Sequence, residues 1–182
     1  MPVTPYPIDL TLYDTDNTTL KADAKFFIRN ITKKTSTTEE TTDSAGVAQI
    51  DLANLPLGNG QTLEYEDGDE VLIIAYDGKN SDALLHVVDT ATGSYSATLK
   101  LNPLNYVPGS SQRIMQMCGG NTAASVAYFK VYAVDDGELL AHVEVPANDT
   151  RYVEFGRWGK GASGGFVVER EAATLIVTAT LR

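Results

Sequence analysis

Two histidines, one cysteine and twenty-four carboxylates are what this chain offers for chemistry. A histidine can serve as base to a Ser or Cys nucleophile. His86 lies in an apolar run and His142 in an alternating one. Neither stands near a G-x-S-x-G or cysteine-nucleophile signature, so both read as structural. Two His and one Cys make no zinc spacing. Cys118, between Met117 and Gly119, reads as a small buried core residue, and being alone it forms no intramolecular disulfide. The turn holding Glu64, Glu66, Asp67, Asp69 and Glu70 has oxygens for Ca²⁺, but not the D-x-[DN]-x-[DN]-G loop with its downstream glutamate. It reads as a solvated turn, as does Asp14-Thr15-Asp16-Asn17. Gly156-Arg157-Trp158-Gly159-Lys160-Gly161-Ala162-Ser163-Gly164-Gly165 has the glycines of a phosphate loop in the wrong order. Its Lys is not followed by Ser or Thr, and a strand, not a helix, comes next. Nothing selects a carboxylate pair for glycoside hydrolysis. The expectation is a protein that is not an enzyme and uses no metal or cofactor.

The elements that would position these residues are strands. Asp43-Ser44-Ala45-Gly46 is a turn between a Thr-rich run and the alternating Val47–Leu52 run, and the stretch reads as an antiparallel pair. Residues 1–7 are an extended arm punctuated by Pro2, Pro5 and Pro7. Ile8–Tyr13 alternates. Ala22–Thr32 is a longer strand with Phe26, Ile28 and Asn30 on one face. Lys33–Thr42 reads as an exposed polar edge, Lys33 and Lys34 lying near Glu39 and Glu40. Val71–Tyr76 is a continuous apolar run suited to a strand buried on both sides. Ala83–Val88 and Ser94–Leu101 complete about seven strands, the count of an immunoglobulin-like sandwich. Residues 102–111 carry two prolines and a glycine and read as a linker. A second all-β body over 112–182 follows, with strands at Ile114–Cys118, Ala127–Val134, Leu139–Val145, Arg151–Phe155, Gly165–Glu169 and Thr174–Leu181. The fold expected is all-β: an Ig-like β-sandwich over 8–101, then a small antiparallel sandwich or barrel.

Net charge is −10, and it is uneven. Residues 1–105 hold seven basic and sixteen acidic side chains, while residues 106–182 hold seven and eight. Such an acidic chain is a poor partner for nucleic acid. No apolar run approaches the ~20 residues that span a bilayer, so no membrane partner is expected. The N-terminus has neither the basic nor the apolar region of a signal peptide. The three sequons, at Asn17, Asn30 and Asn148, read as chance matches in a Thr-rich chain. Charged residues are depleted at interface cores while Trp, Tyr and Arg are enriched. Arg151, Tyr152, Arg157 and Trp158, which include the only tryptophan, are the interface expected.

Residues 8–101, through Thr42-Asp43-Ser44-Ala45-Gly46-Val47 and Tyr65-Glu66-Asp67-Gly68-Asp69, resemble Ig-like domains of the carboxypeptidase-regulatory or Cna-B type. Tyr128-Phe129-Lys130-Val131-Tyr132, Val143–Asn148, Phe155, Gly164-Gly165-Phe166 and Thr174–Leu181 resemble a small β-domain of tailed-bacteriophage structural proteins. That second resemblance implies a virion component, made in the host cytoplasm. It would be a decoration or fibre-type protein on the capsid surface, with the major capsid protein as partner and a homo-oligomeric state. The alternative is a secreted or surface Ig-like adhesion module that binds carbohydrate or protein.

Overall fold

The computed structural model describes residues 4–57, 60–78, 80–101, 112–134, 137–154, 160–162, 165–171 and 175–181. The chain is all-β and divides into two compact units. Unit 1 comprises Met1–Ala75 with Leu84–Lys100, and unit 2 comprises Tyr76–Ala83 with Leu101–Arg182. The expected linker, residues 102–111, lies outside the described residues.

Unit 1 begins with β1 (Pro7–Tyr13), β2 (Lys25–Asn30), β3 (Thr35–Ser36), β4 (Glu40–Thr41) and β5 (Val47–Asp51). A 3₁₀ turn (Leu52–Asn54) precedes β6 (Glu70–Asp77), β7 (Asn80–Val87) and β8 (Tyr95–Lys100), and the adjoining ends of β6 and β7, within Tyr76–Ala83, fall in unit 2. One sheet has the order β5-β1-β8, with β1 antiparallel to β5 and parallel to β8. The other has the order β3-β2-β6-β7, with β4 also on β2. Period-two burial builds the core: Ile8, Leu10 and Leu12 from β1 and Phe26 and Ile28 from β2 are all buried. Val71 to Ala75 have no exposed surface, as the continuous apolar run requires. Each such Val, Leu or Ile contributes about 1.5–3 kcal/mol by leaving water.

Two expectations are corrected here. The Asp43–Gly46 turn forms, with Gly46 N–H donating to Asp43 C=O at 3.0 Å, but its arms do not continue as a pair. β4 runs along β2 in one sheet and β5 along β1 in the other, so the turn is a corner between sheets. Gly46 is required at that corner. Its φ is +68°, and a Cβ there would lie 2.7 Å from the Lys21 nitrogen. Nor is Lys33 on a solvated edge. It is buried, and its ammonium sits 2.6 Å from Glu66 and 4.0 Å from Asp69, whereas Glu39 pairs with Lys25.

The segment before β1 is anchored. The buried Tyr6 donates its N–H to Asp51 Oδ1 at 2.8 Å and accepts the Leu52 N–H at its carbonyl at 3.1 Å. Its ring lies 5.6 Å from that of Tyr65, whose hydroxyl donates to the Thr4 carbonyl.

Unit 2 contains β9 (Gln112–Asn121), β10 (Ala127–Ala133), β11 (Leu139–Val145), β12 (Thr150–Glu154), β13 (Lys160–Ala162), β14 (Phe166–Arg170) and β15 (Leu175–Leu181). All of its described pairings are antiparallel. One sheet has the order β11-β10-β14; the other centres on β9, with β12 and β13 along one edge and β15 along the other. Met117, Leu175 and Val177 from the second sheet and Phe129, Val131, Val145 and Phe166 to Val168 from the first are buried. Gly119 lets the opposite sheet pack directly against the backbone of β9, because a Cβ there would lie 2.5 Å from Phe129 Cε1 and 3.0 Å from Val145 Cγ2. Asn121, also buried, ties β9 to two other segments: its amide donates to the carbonyl of Ser125 and to those of the adjacent Val145 and Pro146 at 2.8–3.1 Å.

Candidate interaction surface

β9 sets the geometry of the face that carries Tyr152 and Ile176, the two most exposed large hydrophobic side chains among the described residues. Alternation turns Met117 and Gly119 inward and Cys118 and Gly120 outward. On β12, Tyr152 lies opposite Cys118 and Thr150 opposite Gly120. On β15, Thr178 lies opposite Cys118 and Ile176 opposite Gly120. Six side positions therefore make two adjacent rungs of one outer face, and none of them is charged. Tyr152 is 63 % exposed and Ile176 56 %. Gly120, with no side chain, lets the face dip into a depression of about 460 Å³, with Asn148 and Asp149 on its rim. Hydrogen bonding and charge at Cys118 push the Tyr152 phenol above its ordinary value.

Cys118 is half-buried on this face, not a core residue. The inward neighbour that packs under the opposite sheet is Gly119, and the Cys-Gly-Gly run hides that polarity from a pattern reading. Arg151 lies opposite Gly119, one residue from Tyr152, so its side chain leaves the other face of the strand. Its nitrogen Nε is 3.6 Å from Asp149. Arg157 and Trp158 lie outside the described residues. Of the six positions only Tyr152 belongs to the expected interface; Ile176, the other large exposed side chain, escapes sequence reasoning because an isoleucine in a Thr/Val-rich strand gives no sign of its face.

The other positions singled out from sequence have internal employment. Asp69 is buried and accepts from Asn30 Nδ2 at 2.8 Å and from the Glu66 N–H at 2.9 Å, so the acidic turn is not wholly solvated. Asp67 Oδ1 accepts the N–H and hydroxyl of Thr90. Asp16 takes the N–H groups of Thr18 and Thr19 and the Thr19 hydroxyl, which hold its carboxyl well below the usual range. Among the described residues, no three His, Cys, Asp or Glu side chains converge as a metal site. His86 stacks on Tyr95 at 3.7 Å and meets the Tyr6 hydroxyl at 3.0 Å. His142 packs against Tyr128 at 5.5 Å. Of the three sequon asparagines, Asn30 is fully buried, while Asn148 is exposed in a turn.

No protein-family profile matches the chain, and none of the curated proteins does. Solved structures are similar at low identity. The shaft pilin SpaA from Lactobacillus rhamnosus GG shares 14 % identity at a TM-score of 0.38, over 97 % of this chain and 83 % of that one. A single B repeat unit of the collagen-binding surface protein of Staphylococcus aureus shares 11 % at 0.30, over 97 % of both. The Bacillus anthracis TIE protein shares 12 % at 0.34, and the chain spans 30 % of its length. At these scores the likenesses carry no argument about what the chain does. The class that the coordinates define is an all-β protein of immunoglobulin-like sandwich type.

Proposed function

We propose that the chain is a non-catalytic surface module that holds another protein through the outer face of β12, β9 and β15. The observation that supports this reading is the exposure of Tyr152 and Ile176 on adjacent rungs of a face whose six positions carry no charge. Uncharged cores with an aromatic anchor are the compositional mark of protein interfaces. The dip at Gly120 gives a partner's side chain a place to enter. The setting proposed is an Ig-like adhesion module at a surface. A second setting, decoration of a phage capsid, is favoured by the resemblance of Tyr128–Tyr132 and Thr174–Leu181 to virion β-domains.

The test mixes the full chain with undecorated phage heads and, separately, with cell-envelope proteins, and follows co-sedimentation. Binding to heads alone selects the capsid setting, and binding to envelope protein alone selects adhesion. In either case a Tyr152→Ser, Ile176→Thr double variant should release the partner while its melting curve stays close to wild type. Retained binding by the folded double variant would remove this face from the contact.

A further inference from the structure

The corner between the two sheets of unit 1 leaves one hairpin rung unmade. Asp43 N–H donates to Val47 C=O at 2.9 Å, and Val47 N–H donates to the Asp43 carboxylate at 3.0 Å. In a regular hairpin the next pair outward would be Thr41 with Gln49. Here β4 and β5 have already separated. Thr42 turns its peptide groups toward β2, its N–H to Ala24 C=O and its C=O to Asp23 N–H. Gly46 C=O accepts from Leu12 N–H at the end of β1. Backbone alternation therefore aims the peptide groups of Thr41 and Gln49 away from β2 and β1. They face a groove of about 750 Å³ between β4 and β5. Among the described strands, β4 and β5 have no neighbour on that side.

The walls of the groove are acidic. Asp9, Asp23, Glu40 and Asp43 line it, without a Lys or Arg. Asp9 accepts the Gln49 side-chain amide at 2.6 Å, and Asp43 serves the corner. Asp23 and Glu40 are exposed, and among the described residues neither has an ion pair. Lys21 and Lys25, close in sequence to Asp23, lie against Asp14 and Glu39.

We propose that this groove accepts an extended, Lys- or Arg-bearing segment of a partner protein as an added strand between β4 and β5. The rim peptide groups of Thr41 and Gln49 supply main-chain hydrogen bonds, and the four carboxylates select cationic side chains. Successive side chains of a strand alternate, so cations at every second position of the guest face one wall together. A second copy of this chain does not fit the slot, because none of its fourteen Lys and Arg residues stand two apart. The inference rests on unit 1 alone and is independent of the sheet face proposed for unit 2.

The probe is a synthetic peptide of about seven residues that alternates Lys with Thr, with a Glu–Thr peptide as control. Binding to the full chain is followed by titration calorimetry, and amide exchange at Thr41 and Gln49 by NMR. The Lys peptide should bind, slow exchange at those two amides, and weaken as salt is added. The Glu peptide should not bind. Asp23→Asn with Glu40→Gln should weaken the Lys peptide roughly three- to ten-fold, and Asn keeps the left-handed backbone that Asp23 adopts at φ +55°. Gln49→Pro should abolish binding; if that variant does not fold, the exchange data on the unmodified chain decide alone. Binding without protection at Thr41 and Gln49 would be attraction to the net negative charge in general and would overturn the proposal. So would equal binding of the Glu peptide, or an affinity untouched by the paired neutralisation.

Discussion

Asn30 donates its side-chain amide to the buried Asp69 carboxylate at 2.8 Å, joining the end of β2 to the turn that opens β6. The same asparagine accepts the Lys33 N–H at 2.9 Å, so one side chain fixes the turn after β2 and the turn before β6. Removing it leaves a buried carboxylate short of a donor. Asn30→Ala should cost about 1–3 kcal/mol in urea denaturation. Asn30→Asp should cost more, because it faces one carboxylate with another. An Asn30→Ala variant as stable as wild type would show that water replaces the amide.

Gly119 and Gly120 are adjacent and should behave oppositely. A methyl at Gly119 meets the Phe129 ring and Val145, so Gly119→Ala should cost about 1–3 kcal/mol through overpacking. At Gly120 the nearest atoms lie 3.8 Å away, and Gly120→Ala should be neutral or slightly stabilising. Thermal melts of the two variants side by side make the comparison, and equal shifts would contradict the assignment of inner and outer faces.

His86 gives unit 1 a pH dependence of definite sign. Burial pushes its imidazole below the ordinary value of 6.5, with Asp89 pulling weakly the other way. The neutral ring accepts or donates at the Tyr6 hydroxyl and stacks on Tyr95. Above 6.5 both folded and unfolded chains carry a neutral ring, and the group contributes nothing. As pH falls through that value the unfolded chain takes the proton first, and stability is lost until the folded imidazole titrates too. Between about pH 7.5 and about pH 5 the wild-type melting temperature should therefore fall further than that of His86→Gln. Parallel profiles would remove His86 as the cause.

Cys118 should report on the outer face of unit 2. Half-buried beside Tyr152 and Thr178, it should label with a thiol reagent in the native protein, more slowly than in urea. Cys118→Ser should change stability by less than about 1 kcal/mol, since its place is not in the core. A bound partner on this face should slow the labelling, and unchanged rates in the complex would argue for contact elsewhere.

What could be read from sequence was what neighbouring residues decide. The alternation of Ile8–Tyr13, the continuous burial of Val71–Ala75 and the turn chemistry of Asp43–Gly46 are local, and the structure has all three. What depends on distant partners was not legible. The arms of the Asp43–Gly46 turn separate because β1 and β2 compete for them, and no residue between 41 and 52 records that. Lys33 is buried because Glu66 and Asp69 come to it from more than thirty positions away. Arg151 and Tyr152 are neighbours in sequence, yet a strand sends them to opposite sides. The outward side of β9 is masked by two consecutive glycines, which show no preference for water or core.

The parallel pairing of β1 with β8 has a mechanical meaning. Ile8 is in register with Tyr95 and Tyr13 with Lys100, so the chain enters β1 at one end of this ladder and leaves β8 at the other. Tension between entry and exit drags the two strands past each other along their length. The rungs from Ile8 to Tyr13 are then loaded together, in shear, and cannot be peeled apart one by one. A unit built this way bears a pull along the chain as a clasp does, yielding only when the whole ladder gives.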